Sequence, residues 1–346
     1  MTAGSRSPAE DLRRIAYLLE RSREPTYRVR AFRTAAAVID GLTDEELTRR
    51  IADDTLTELP GIGTVTAGVV VESVAGEEPA YLIRLQGAAA AYQASPLRQA
   101  LRGDLHVHSD WSDGGSPIEE MAVAAREVGH DYMALTDHSP RLTVARGLSP
   151  ERLREQLDVV RRLNAQLAPF RILTGIEVDI LEDGSLDQEP ELLAQLDVVV
   201  GSVHSKLRMP SADMTPRMVA AIANPHLDVL GHCTGRLVVG RGRPESEFEA
   251  EIVFEACRQF GVAVEVNSRP ERLDPPRRLL SLAREMGCLF SIDTDAHAPG
   301  QLEWQPHGCD RATECGVPPE SVVNTWPLDA LLAWTADHGE HRLTRR

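Results

Sequence analysis

Nine side chains able to bind a metal recur at the ends of short apolar runs. Residues 104–108 include His106 and His108 and lead to Asp113; residues 132–136 are followed by His138, 172–176 by Glu177, 198–203 by His204, 227–231 by His232, and 289–293 by Asp295 and His297. A single histidine more often makes a structural hydrogen bond than a metal bond. Here six of the eleven histidines share one register, and only His130, His226, His307, His338 and His341 fall outside it. Imidazoles and carboxylates without thiolates suit zinc, manganese or iron. Nine donors exceed what one ion can use, so two or three closely spaced ions are expected, with Glu177 as a candidate bridge. Ions about 3.5–4 Å apart generate hydroxide at neutral pH and clamp the attacking and leaving oxygens of a phosphoryl group. The chemistry these residues point to is hydrolysis at phosphorus without a covalent nucleophile.

Such a cluster needs elements that deliver distant residues to one place. A seventh run, 262–266, completes the series, and helix-like stretches such as 117–128, 150–167 and 247–260 separate the runs. Seven consecutive βα units predict an α/β fold with a parallel sheet, closed or nearly closed into a barrel, whose strand C-termini open on one face. Ahead of it, residues 1–85 read as a small all-α domain. Leu12, Ile15, Ala16 and Leu19 have helical spacing, as do Val29, Phe32, Ala36 and Ile39, and Thr43-x-x-Glu46 is a capping box. Gly61-Ile62-Gly63 predicts a helix-hairpin-helix turn, with backbone N–H groups free to meet a phosphate at the next helix start; by itself the same tetrapeptide Pro60–Gly63 also suits a plain turn between core helices. Residues 86–102, alanine-rich with Ser95-Pro96, are expected to be a linker, and 103–346 the catalytic domain.

The 346 residues carry 37 basic and 53 acidic side chains, a net charge of -16, which argues against a surface coated for unspecific nucleic-acid binding. Charge is uneven: Arg28, Arg30 and Arg33 belong to a local arginine excess near the N-terminus, and Lys206 is the only lysine. Five scattered cysteines with no C-x-x-C pair argue for free thiols. No apolar run approaches the roughly 20 residues of a membrane span, and a cytoplasmic protein is expected.

His106-x-His108-Ser-x-x-Ser-Asp113-Gly, Thr136-Asp-His138-Ser, Gly175-Ile-Glu177, Val203-His204-Ser, Leu230-Gly-His232-x-Thr-Gly-Arg236 and Asp295-Ala-His297 together resemble the PHP (polymerase and histidinol phosphatase) domain, most closely that of bacterial family X DNA polymerases. The resemblance implies a distorted (βα)7 barrel with three divalent ions (Zn, Mn or Fe) on His106, His108, Asp113, His138, Glu177, His204, His232, Asp295 and His297. Tyr27–Arg33 and Leu59–Gly63 resemble the helical domain of the same polymerases. Two departures matter: the linker is too short to hold a polymerase core, and residues 1–102 contain no lysine for Schiff-base chemistry. Cys233 stands where those polymerases usually have proline. By position, Lys206, Arg236, Arg208 and Arg269 are candidates to bind substrate phosphate, Asn267 to orient a ligand or water, and Asp137 to accept from a ligand imidazole. Gly61, Ile62, Gly63, Arg28, Arg30 and Arg33 are candidate DNA contacts. The expected activity is a metal-dependent phosphoesterase acting on DNA as a 3′ to 5′ exonuclease or 3′-end processing enzyme, with removal of phosphate from a small molecule, such as histidinol phosphate, as the alternative. A catalytically silent DNA-binding module is the third reading; it predicts lost ligands, and none is lost.

Overall fold

The computed structural model describes residues 6–88 and 95–337. His338, His341 and positions 89–94 of the expected linker lie outside the described residues. The chain divides into two compact units, Met1–Gln93 and Ala94–Arg346.

The first unit holds α1 (Pro8–Arg21), α2 (Thr26–Asp40), α3 (Asp44–Ala52), α4 (Thr64–Val74) and α5 (Ala80–Ala88). Ser7 caps α1 by accepting from the Glu10 N–H, and Pro8 opens the helix where its missing N–H costs nothing. Leu12, Ile15, Ala16 and Leu19 are buried, as are Phe32, Ala36 and Ile39 of α2. Thr43 caps α3 through the Glu46 N–H, but Glu46 turns its side chain to Arg50 at 3.2 Å, so only half of the capping box forms. In the turn before α4, Gly61 has φ +94°, and a Cβ there would lie 2.6 Å from the Thr34 side chain. Only glycine fits that turn.

The second unit is built on β1 (Gly103–Val107), β2 (Tyr132–Leu135), β3 (Arg171–Asp179), β4 (Val198–Ser202), β5 (Val229–Leu230), β6 (Ala263–Asn267) and β7 (Phe290–Asp293). All neighbours are parallel in the order β1 to β7. The sheet nearly closes: Val107 bridges Ala296, and the His108 N–H donates to the Ala296 carbonyl at 2.8 Å. Below that bridge, side chains replace the missing ladder. Gln305 Nε2 donates to the Gly103 and Ile292 carbonyls at 3.0 and 2.9 Å, and Asn324 Nδ2 to the same two at 3.1 and 2.8 Å. Buried carbonyls that no strand reaches are thereby satisfied.

The surrounding helices are α6 (Pro96–Ala100), α7 (Ile118–Glu127), α8 (Pro150–Leu167), α9 (Pro190–Leu193), α10 (Ser211–Ile222), α11 (Ala250–Phe260), α12 (Arg277–Glu285), α13 (Gln305–Glu314) and α14 (Leu328–Thr335). Three boundaries differ from expectation. The C-terminal part of the expected linker folds as α6, because Leu97 and Leu101 bury themselves in the barrel core. The helix expected from 247 starts at Ala250. β3 runs two residues past Glu177, its ladder to β4 continuing to Asp179.

Leu105, Tyr132, Ala134, Leu173, Val198, Val200, Val229 and Ala263 pack with Val323 and Leu331 in one buried cluster, while Ile176, Val178, Val199, Leu230, Val264 and Val266 belong to a second that includes helix residues such as Met214 and Phe254. This is the two-sided burial of a parallel sheet between interior and helices. Among the described residues, no helix is long and apolar enough to cross a membrane.

Candidate metal centre

A β-bulge aims the first two histidines. Between the Asp104/Met133 and Val107/Leu135 pairs, β1 spends three residues against two on β2. The extra residue lets Leu105 join the interior apolar cluster while His106 and His108 both reach the carboxylate of Glu177. The turn after β1 then carries Asp113. A Cβ on Gly114 would meet the Ser109 backbone at 2.6 Å, so the turn can fold back this tightly only with glycine.

Glu177 is the hub. Its Oε2 lies 3.3 Å from His106 Nε2, 3.6 Å from His108 Nε2 and 2.9 Å from His138 Nδ1, and its Oε1 lies 3.2 Å from His204 Nε2 and 2.9 Å from His232 Nε2. Asp295, in left-handed backbone at φ 53°, places Oδ1 3.5 Å from His108 Nε2. Asp113 Oδ1 stands 3.5 Å from His138 Nε2 and 3.3 Å from His297 Nε2. All nine predicted donors therefore come together at the C-terminal ends of the strands. Eight of them form three overlapping groups, with His232 beside Glu177: His108, Asp113, His138 and His297; His106, His108 and Asp295; His138, Glu177 and His204.

The donor chemistry fits divalent ions. His106 Nε2, His108 Nε2 and His204 Nε2 are buried and make no hydrogen bond, although carboxylate oxygens lie 3.2 to 3.5 Å away. Donors each about 2.1 Å from a shared ion are spaced about that far apart. One of the rings has its opposite nitrogen held as an N–H donor, since His106 Nδ1 is 2.7 Å from Glu265 Oε1, whereas His297 Nδ1 lies between the Asp295 carbonyl at 2.9 Å and the Arg269 Nη1 donor at 3.0 Å. That leaves the Nε2 lone pair of His106 facing the centre. Burial would raise the pKa of Glu177, but His106, His204 and His138 hold it well below the usual carboxylate range. Partial desolvation would raise the pKa of Asp113 as well, but His297 and the neighbouring histidines hold it low.

The residues around the donors depart from expectation. Asp137 does not accept from a ligand imidazole. It lies one residue from His138, on the other face, and accepts from the Ser109 N–H and hydroxyl at 2.8 and 2.6 Å, from Ser112 Oγ at 2.5 Å and from Gln156 Nε2 at 2.7 Å. It thus fixes the turn that carries Asp113. Asn267 does touch a donor, with Nδ2 3.3 Å from Asp295 Oδ2. Arg236 is committed to the Arg272 and Leu273 carbonyls, which takes it away from the role expected for it. Arg269 donates to the Asp295 carbonyl at 2.7 Å and lies 5.7 Å from the Trp304 ring centre, bracing the end of β7. Lys206 and Arg208 are exposed on the loop after β4.

Three residues escaped sequence reasoning. Glu265 accepts from His106 Nδ1 and from the His232 N–H. Arg272 places Nε 3.0 Å from Asp295 Oδ2 and keeps a buried Nη1 without a partner. Asp179 lies 3.6 Å from His204 Nδ1. The available signal was period two: Glu265 and Asn267 alternate on β6 as Glu177 and Asp179 do on β3.

In the first unit, Gly61 and Gly63 are exposed and Ile62 is buried, and Thr66 Oγ1 accepts from the Gly63 N–H at 2.9 Å. Two of the three candidate DNA arginines are already engaged. Arg33 grips buried Glu20 through Nε and Nη2 at 3.0 and 3.1 Å, and Arg28 binds Glu24 and the Tyr81 hydroxyl. Arg30 is exposed.

Residues 104–269 match the PHP domain, and residues 5–78 match a helix-hairpin-helix domain. Over 228 residues, 66% of this chain, the sequence is 42% identical to the DNA polymerase/3′-5′ exonuclease PolX of Bacillus subtilis (strain 168), and the match spans 40% of that protein. It is 28% identical over 233 residues, 64% of this chain and 89% of the relative, to a protein of Thermoanaerobacter sp. (strain X514) named "probable phosphatase". A crystal structure of histidinol phosphate phosphatase from Lactococcus lactis, complexed with zinc, L-histidinol and phosphate, covers 62% of this chain and 94% of its own with a TM-score of 0.47 and 16% identity.

Proposed function

We propose that this chain, which carries a PHP domain behind a helix-hairpin-helix domain, is a phosphoesterase that hydrolyses phosphodiester bonds at the 3′ ends of DNA with divalent metal ions as cofactors. The observation that carries the reading is the cluster of nine donors, with Glu177 as its hub, in a chain that also has a domain suited to DNA backbone. The three overlapping donor groups suit three ions. When bound, such ions lower the pKa of water and neutralise charge on phosphoryl oxygens.

In the reaction the water oxygen bonds to phosphorus, the P–O3′ bond breaks, and O3′ leaves with a proton. His106, His108, His138, His204, His232 and His297 would hold the ions with Glu177, Asp113 and Asp295. The side chains of Asp113, His297 and His204 are 38%, 19% and 12% exposed, so the scissile phosphate enters from their side. Arg272, pinned to Asp295, offers its unpartnered Nη1 to a non-bridging oxygen, the role first assigned to Arg236. Lys206 and Arg208 add positive charge at the exposed rim. In the helical domain, the Gly61–Gly63 turn and Arg30 meet backbone phosphates, which needs no base sequence.

A second reading, hydrolysis of a small phosphomonoester, is favoured by the relative named "probable phosphatase", most of whose length this chain covers. A substrate screen of the metal-loaded protein separates the two. The DNA reading expects stepwise loss of 5′-mononucleotides from the 3′ end, with activity falling steeply as salt rises. Turnover of histidinol phosphate or a similar monoester with no action on oligonucleotides would establish the second reading instead.

A further inference from the structure

Beside the metal centre, a second concavity of about 660 Å³ opens between the loop after β5 and the first turns of α10, α11 and α12. Arg236, Arg243, Arg278, Ser246, Phe248 and Leu279 are among its lining residues. Its wall is continuous with the centre: Arg236 Nε donates to the Arg272 carbonyl at 3.1 Å, and Arg272 itself reaches Asp295. Two lining groups have unmet polar capacity. Arg243 is half-buried and spends Nε on the Gly235 carbonyl, and its guanidinium makes no ion pair among the described residues. Burial and the neighbouring Arg272 both disfavour its charge, a cost that a bound anion would offset. Ser246 is 7% exposed, and its hydroxyl is buried with no hydrogen-bond partner. Phe248, Leu279 and Pro244 add apolar surface beside these donors. A guanidinium and a hydroxyl next to an aromatic and aliphatic wall match a phosphate joined to a flat ring.

We infer that this cavity is a subsite for the nucleotide next to the scissile phosphodiester, with Arg243 and Ser246 taking its phosphate and Phe248 and Leu279 its base. The inference rests on the DNA reading above and adds a length requirement: the substrate is a strand, recognised beyond the bond that is cut.

The test compares two substrates on the full-length, metal-loaded protein. Thymidine 5′-(p-nitrophenyl phosphate) presents the scissile bond with no neighbouring nucleotide, and tetrathymidylate presents it with one. Arg243→Ala should raise KM for tetrathymidylate about tenfold, leave its kcat within twofold, and leave both constants for the p-nitrophenyl ester unchanged. Arg243→Lys should recover part of the loss, and Ser246→Ala should shift KM in the same direction by less. Equal KM values for tetrathymidylate in wild type and Arg243→Ala would overturn the subsite. So would a variant whose inhibition by free thymidine monophosphate weakens while KM for the strand holds, since the cavity would then serve a free nucleotide. If Arg243→Ala loses activity on both substrates, the same comparison with Ser246→Ala decides. Should the wild type cleave the p-nitrophenyl ester but not tetrathymidylate, the DNA reading itself fails.

Discussion

Replacing Glu265 by glutamine keeps the shape of a fully buried side chain and changes only its hydrogen-bonding capacity. Both carboxylate oxygens accept: Oε1 from His106 Nδ1 at 2.7 Å, and Oε2 from the backbone N–H of His232, with Asn267 Nδ2 at 3.2 Å. A glutamine amide has one acceptor oxygen and one donor nitrogen. The His232 N–H cannot change character, so the amide oxygen stays with it and the NH2 faces His106. His106 must then accept at Nδ1 and carry its proton on Nε2, which removes the lone pair that faces the centre. Loss of such an outer partner costs about 10- to 100-fold in metal affinity, or about 1.4 to 2.7 kcal/mol. Competition against a chelator, followed by elemental analysis of the recovered protein, measures this directly, and activity should return when excess metal is added. Wild-type affinity in Glu265→Gln would refute the reasoning, because it would mean that the tautomer of His106 does not control the site.

Arg217 is buried and donates to the Ile180, Leu181 and Ser205 carbonyls, tying the loops after β3 and β4 together; Arg217→Met should cost about 3 kcal/mol in chemical denaturation by stranding those carbonyls, and lower metal affinity through the adjacent His204. In the helical domain, Arg33→Ala strips buried Glu20 of a two-point guanidinium contact and should destabilise that domain by about 3 kcal/mol. Arg30→Ala should instead leave its melting unchanged and reduce the salt slope of DNA binding by about one; the opposite pattern for the two variants would reverse their assignment. Burial opposes charge on His204, but Glu177 and Asp179 lift its pKa from 6.5 to about 9 in the metal-free protein. Folding then binds a proton between those values, so this group's stabilisation is complete below about pH 6.5 and lost as pH rises through about 9. Chelated protein should therefore lose thermal stability over that window while its metal affinity rises, and a flat profile for both would contradict the proton's place on His204.

The donor register and the barrel were legible in the sequence for a local reason. A parallel strand must be apolar to be buried on both faces, and the residue that ends it must stand at the open face, so His138 and His204 announced themselves by following apolar runs. Spacing likewise marked the caps and the Gly61–Gly63 turn, since both involve residues within one turn of each other. Tertiary structure alone decided which charges are free. Arg33 and Arg30 lie three residues apart on one helix and look alike, yet Arg33 meets Glu20 of α1 and Arg30 meets solvent. Arg236, in a motif that suggested phosphate, spends its nitrogens on carbonyls 36 and 37 positions away. Glu265 touches His106 across 159 positions and the closed barrel. A ligand's position depends on its own strand, whereas the partner of a guanidinium or a second carboxylate depends on which strands and loops close beside it, and nothing local in the chain encodes that.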